Sequence, residues 1–126
     1  MTAEQTVQTY FDALAAGDAN KLMGLMSTAE HYVKIGTDKD EIVYGGTDAP
    51  AYYQHHVAST QDFTIQIDHL DVQERDDLAY FVTLQTWQLK WQGTFEILNM
   101  RLTGVLEKEN SNWKFVQIHA SLGAEE

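Results

Sequence analysis

The sequence predicts an α+β domain, with three helices in its N-terminal half packed on an antiparallel sheet of about six strands. Three observations predict this. Apolar residues recur at helical spacing from Val7 to Met26 and again from Ala49 to Val57. From Asp62 onward the apolar residues alternate with polar ones, which is strand spacing. Short polar stretches, ERDD, QG and ENSN, then divide that half into long segments, as turns divide an antiparallel meander.

The elements follow in order. Val7, Tyr10, Phe11 and Leu14 form the stripe of a first helix, with a capping box from Thr2 and Gln5 and a stop at Gly17. Asp18 caps a short second helix whose Leu22, Leu25 and Met26 share a face. YVKIG, the polar turn TDKD and EIVYGG read as a hairpin. Thr47 is the expected cap of the third helix, which tolerates Pro50 in its first turn and turns Ala49, Tyr52, Tyr53, His56 and Val57 inward. Phe63, Ile65 and Ile67 then alternate, but the apolar phase shifts at Leu70 and Val72, predicting a bulge near Asp68–His69. Two strands about Gln92–Gly93 and two about Asn110–Ser111 complete the chain. Simple alternation about the last turn pairs Lys108 with Trp113, Leu106 with Phe115, Gly104 with Gln117 and Leu102 with His119. It puts Gln117, His119 and Ser121 on one face with Trp113 and Phe115, and Arg101, Val116, Ile118 and Ala120 on the other.

At 126 residues the chain is the size of one domain, expected to span 1–126. A net charge of −11 argues against nucleic acid and against an anionic membrane surface, since both need clustered Lys and Arg. No apolar run approaches the ~20 residues of a membrane span. The absence of cysteine and of a signal-like N-terminus predicts a cytoplasmic location. No metal site is expected: His55 and His56 are adjacent and cannot chelate together, and DKDE lacks the spacing of a calcium loop. No phosphate-cradling loop or thiol nucleophile occurs, so no cofactor is expected.

AAGDANKLMGLM, IGTDKDEIVYGGTDA and MRLTGVLEKENSNWKFVQIHAS together resemble the SnoaL-like branch of the nuclear transport factor 2-like superfamily. The WKFVQIHASLGA end is also similar to the association domain of calcium/calmodulin-dependent kinase II. The resemblance implies a cystatin-like, cone-shaped fold with a strongly curved sheet. It implies no single activity, because one fold hosts many functions. Tyr44 and Gly46 depart from the branch's pattern of a larger aromatic in the second strand and a basic residue after its glycine.

His119 has two readings. One is a desolvated, neutral acid/base group in a pocket beside Gln117; the other is a core histidine satisfied by one hydrogen bond. Arg101, on the opposite face, reads as an anion clamp or as a structural ion-pair partner. Gln85, Trp87, Trp91 and Met100 fall on the His119 face and describe either a pocket wall or ordinary core. Tyr10, Tyr53 and His56 are the helical side chains placed to face the same space. His119 and Asp68, near the bulge, are the candidate proton carriers.

Two functions are therefore expected. One is a domain that binds a small apolar or carbonyl-containing molecule, extending to isomerase- or cyclase-type chemistry without a cofactor. The other is a non-catalytic oligomerisation or sensing module, as the kinase similarity implies. The apolar set Tyr80, Val82, Leu84, Phe95, Ile97, Val105, Val116 and Ile118 predicts a homodimer through the sheet face that the helices do not cover.

Overall fold

A computed structural model describes residues 1–124. In chain order it contains α1 (Ala3–Ala16), α2 (Ala19–Leu25), β1 (Val33–Ile35), β2 (Ile42–Tyr44), α3 (Ala49–Ser59), β3 (Thr60–Arg75), β4 (Leu78–Trp91), β5 (Thr94–Glu109) and β6 (Asn112–Leu122). The strands form one six-stranded sheet in the order β2-β1-β6-β5-β4-β3. Every neighbouring pair is antiparallel except β1 and β6, whose parallel pairing uses the long excursion through α3 and β3–β5 as its crossover. The chain is an α+β fold, and no helix among the described residues is long and apolar enough to cross a membrane.

The caps explain where the helices begin. Thr2 and Gln5 form a reciprocal capping box at α1, with Gln5 N–H donating to Thr2 Oγ1 at 3.1 Å and Thr2 N–H to Gln5 Oε1 at 2.8 Å. Gly17, at φ 72°, ends that helix in the left-handed conformation. Asp18 then accepts from Lys21 N–H at 3.1 Å to start α2. The third helix begins one residue later than expected, with Asp48 rather than Thr47 in the cap position and no side-chain cap bond. Asp48 N–H is instead taken up by Gly45 O at 3.3 Å, and Pro50 in the first turn removes one of the amides a cap would serve.

The three long hairpins turn tightly, closing at Arg75–Leu78, Trp91–Thr94 and Glu109–Asn112. Asp76, Gln92, Gly93, Asn110 and Ser111 supply the positive φ such turns require. The expected bulge in β3 is present, where the register slips between Ile67 and His69 and leaves Asp68 as the extra residue.

A bulge in β6 corrects the predicted faces. Lys108–Trp113 and Leu106–Phe115 pair as expected, but Val105 then faces Gln117, so Val116 is the extra residue. Beyond it Gly104 faces Ile118 and Leu102 faces Ala120, not Gln117 and His119. Ile118 and Ala120 thus join Trp113 and Phe115 on the helix side, all buried, while Gln117 and His119 turn outward and are exposed. The physical reason is burial: the bulge brings two apolar sets of opposite phase onto one face. Two further contacts fit this arrangement. Ser27 N–H donates to Phe115 O at 2.9 Å, stitching the segment after α2 to the bulge. Gly104 leaves room for Phe81, since a Cβ there would lie 2.5 Å from its ring.

The core lies between the helices and this inner face. Tyr10 and Phe11 of α1 meet Phe81 and Phe115 in edge or tilted contacts with centroids 4.9 to 6.4 Å apart. Trp113 is buried at the end of β6 beside the turn.

Candidate functional site

A cavity of about 110 Å³ opens between α1, α3, the β1–β2 hairpin and the inner sheet face. Its wall is mostly apolar and aromatic: Leu14, Trp87, Leu89, Trp91, Leu98, Met100, Leu102 and Ala120 come from α1 and the sheet. Tyr10 of α1 and Tyr52, Tyr53 and His56 of α3 close the helix side. Lys34 and Glu41, flanking the β1–β2 turn, bring charge to it.

His56 sits in an aromatic box, its ring centroid 5.5 Å from Trp91, 6.0 Å from Phe63, 6.3 Å from Tyr52 and 6.5 Å from Trp87. Its Nδ1 is buried with no hydrogen-bond partner. Burial, and after it the charges of Lys34 and His55, push its pKa down to about 4. The imidazole is therefore neutral at pH 7.

Lys34 is 5% exposed, and its Nζ lies over the ring faces of Tyr52 at 5.0 Å and Tyr53 at 5.4 Å. Among the described residues the ion pairs within 4.0 Å are His31–Glu107 and Lys90–Asp62, so the ammonium has no direct carboxylate partner. Burial lowers its pKa to about 8, against the opposing pull of Glu41.

Glu41 is held in place by its neighbours. It accepts from Tyr52 Oη at 3.1 Å and from Asp38 N–H at 3.0 Å. Its carboxylate folds back over Gly36, where a Cβ would stand 2.9 Å from Oε2. Tyr10 and Tyr53 share a hydrogen bond of 2.7 Å between their hydroxyls. Burial drives both phenols well above their ordinary range, as burial and the Glu41 charge do for Tyr52. All three remain protonated donors at any ordinary pH.

The predicted site residues divide in two. Tyr10, Tyr53, His56, Trp87 and Met100 come together on the cavity wall. Gln85 is buried next to it, but its amide belongs to a chain running from Trp87 Nε1 (2.7 Å) through Gln85 to Thr83 Oγ1 (3.2 Å) and on to His69 O (2.7 Å). Arg101, Gln117 and His119 lie on the outer face, away from the cavity. Arg101 is there with His119 rather than opposite it, and donates from Nε to Ser121 Oγ at 3.1 Å. Asp68 is also outside and exposed, accepting from Gln66 at 2.6 Å and Thr86 at 2.9 Å. His119 and Asp68, the two proton carriers named from sequence, therefore do not meet the cavity. Lys34 and Glu41 were missed. The available signal was a lysine in phase with Tyr32 in the short run YVKIG, facing an acid across the turn.

Among the described residues no group of three or more His, Asp or Glu side chains is placed to hold a metal ion. The SnoaL-like domain family matches residues 3–125. The chain belongs to that family.

Solved structures show the same fold. A candidate dehydratase of the nuclear transport factor 2-like family from Streptomyces avermitilis superposes with a TM-score of 0.86 at 16% identity, covering 97% of this chain and 94% of the other. A candidate calcium/calmodulin-dependent protein kinase II association domain from Xanthomonas campestris gives 0.79 at 22% identity, covering 98% and 86%. A ketosteroid isomerase-like protein from Erwinia carotovora atroseptica gives 0.79 at 15% identity, covering 97% and 94%. No curated protein of known role matches the chain. At these identities the likeness to solved structures carries the fold alone.

Proposed function

We propose that this SnoaL-like domain binds a small, largely apolar molecule bearing a carbonyl or similar polar group, in the cavity between α1, α3 and the sheet. The observation that carries the reading is His56 Nδ1, buried on a mostly apolar and aromatic wall without a hydrogen-bond partner, with the Lys34 ammonium beside it and no carboxylate in direct contact with that ammonium. Buried polar groups are normally satisfied within the protein, so an orphaned nitrogen at a cavity suits a ligand that completes it. Proton-transfer chemistry of the isomerase or cyclase kind, if the ligand turns over, falls to His56, Glu41 and Lys34. The dehydratase and isomerase-like names among the structural neighbours are compatible with this chemistry.

The test is binding of benzyl alcohol, followed by the fluorescence of Trp87 and Trp91. Saturable quenching is expected, and Ala120→Leu, which fills the cavity from β6, should weaken it about tenfold or more. Failure of small aromatic and aliphatic probes to bind, or undiminished binding to Ala120→Leu, defeats the reading.

A second copy of the chain is the proposed partner. The outer face leaves Tyr80, Val82, Leu84, Phe95 and Ile97 between 39% and 60% exposed. Across its centre, from Tyr80 to Gln88, Ile97 to Val105 and Gln117 to Ser121, no outward residue is acidic. On a chain of net charge −11 this stretch, with Asp68 and Asp71 of β3 at its edge, offers little like charge to a second copy. The same face favours the second reading, an oligomerisation module, and light scattering tests it: a mass of 14.3 kDa at micromolar concentration rules the dimer out.

A further inference from the structure

We infer that Lys34 is a covalent capture point, forming an imine through its Nζ with a small aldehyde or ketone held in the cavity. The inference deepens the cavity reading and rests on it.

The geometry has three parts. The side chain is buried on the cavity wall, held over two tyrosine rings and free of any direct ion pair. An amine so placed is shielded from bulk water yet not committed to a carboxylate, which is the condition for a nucleophilic lysine. Glu41 lines the same cavity and is the carboxylate whose charge acts on Lys34. Its two hydrogen bonds fix it on the same wall, beyond 4.0 Å from Nζ, so it exchanges protons with the reacting atoms through an intervening water.

The charges around the cavity select the ligand class. Asp38 and Glu41 both line it, so an anionic ligand would meet like charge beside the single cation. His56 is neutral, and Tyr10, Tyr52 and Tyr53 stay protonated. A neutral carbonyl compound whose apolar body rests on Trp87, Trp91 and Met100 suits all of these groups.

The step balances without a redox partner. The ammonium first gives a proton to water at the cavity mouth, which relays it to Glu41 or to solvent. The Nζ lone pair then forms the C–N bond as the carbonyl π pair moves to oxygen. Proton transfer from nitrogen to oxygen gives the neutral carbinolamine, and loss of water forms C=N. The lowered pKa of Lys34 raises the share of free amine near neutral pH.

The experiment treats the intact wild-type chain with benzaldehyde and cyanoborohydride near neutral pH, with and without benzyl alcohol, which has the same shape and no carbonyl. A benzyl group should map to Lys34 about tenfold or more faster than to Lys21, Lys39, Lys90, Lys108 or Lys114. The exposed Met1 α-amine is the internal control: benzyl alcohol should slow labelling at Lys34 and not at Met1. Lys34→Met, with its fold checked by circular dichroism, should lose the adduct at position 34 while labelling at Met1 continues; an unchanged total adduct count in the variant overturns the inference. Labelling confined to Met1 and the exposed lysines while benzyl alcohol still quenches the tryptophans overturns the imine and leaves the cavity reading standing. Absence of both signals overturns both. Labelling of Lys34 that benzyl alcohol does not slow places the reaction outside the cavity and also overturns the inference.

Discussion

The two faces of the β4–β5–β6 sheet are drawn from similar residues but have opposite fates. The inner face buries Phe81, Trp87, Leu102, Leu106, Phe115 and Ile118 under the helices. The outer face carries Tyr80, Val82, Leu84, Phe95 and Ile97, and leaves them at least 39% exposed. Hydrophobicity alone does not separate the faces. What separates them is cover: α1, α2 and α3 pack on one side only, and one antiparallel sheet cannot be enclosed by helices on a single side. The inner face is thus the seat of stability and of the cavity, and the outer face is the one the helices leave uncovered.

That contrast can be broken at specific residues. The largest effect is expected at Trp113, buried at the end of β6. Trp113→Ala should cost about 3–5 kcal/mol, seen as a fall in melting temperature of more than about 10 °C. A melt unchanged within about 2 °C would mean that this corner of the inner face contributes no packing. Leu84→Glu, at the centre of the outer face, should cost the isolated fold less, about 0.5 kcal/mol or under. It should nevertheless reduce the mass in light scattering to the single-chain 14.3 kDa. A Leu84→Glu protein that stays dimeric would place the contact elsewhere.

Smaller effects sharpen the picture of the cavity. His56 has its pKa lowered from 6.5 to about 4 in the folded state. Between those values the unfolded chain takes up a proton that the folded chain refuses, so stability falls as pH drops from 6.5 toward 4. Denaturant titrations of wild type and His56→Leu across that range should diverge, the variant losing less; parallel curves would show that His56 is not held neutral. The smallest effects belong to the outward pair. His119→Ala and Asp68→Ala should leave benzyl alcohol binding within about twofold and stability within about 0.5 kcal/mol. A tenfold loss of binding in either would return that residue to the site.

Much of the fold could be read locally. The capping box at Thr2 and Gln5, the stop at Gly17, the bulge at Asp68 and the turns at Gln92–Gly93 and Asn110–Ser111 all follow from residues within a few positions of one another. The helix side of the cavity wall was readable in the same way, because Tyr10, Tyr53 and His56 lie on helical stripes whose inward side is set by their own neighbours. The cap of α3 was misplaced by one residue, because the Gly45–Gly46 turn and Pro50 shape that helix start without a side-chain cap.

The sequence by itself determined the fold class, the helix stripes, the turns and the excess of apolar surface on both sides of the sheet. These depend on period and propensity, which neighbouring residues carry. Only the tertiary structure decided which side of β6 faces the helices. WKFVQIHASL has apolar residues in both phases, and one extra residue at Val116 reverses every side chain after it. The bulge pairs with the segment after α2, remote in sequence, and is favoured by burying Ile118 and Ala120. Lys34 and Glu41 became site residues for the same kind of reason. Their environment is made by α3 packing across the β1–β2 hairpin, and no local pattern encodes the desolvation that such packing imposes.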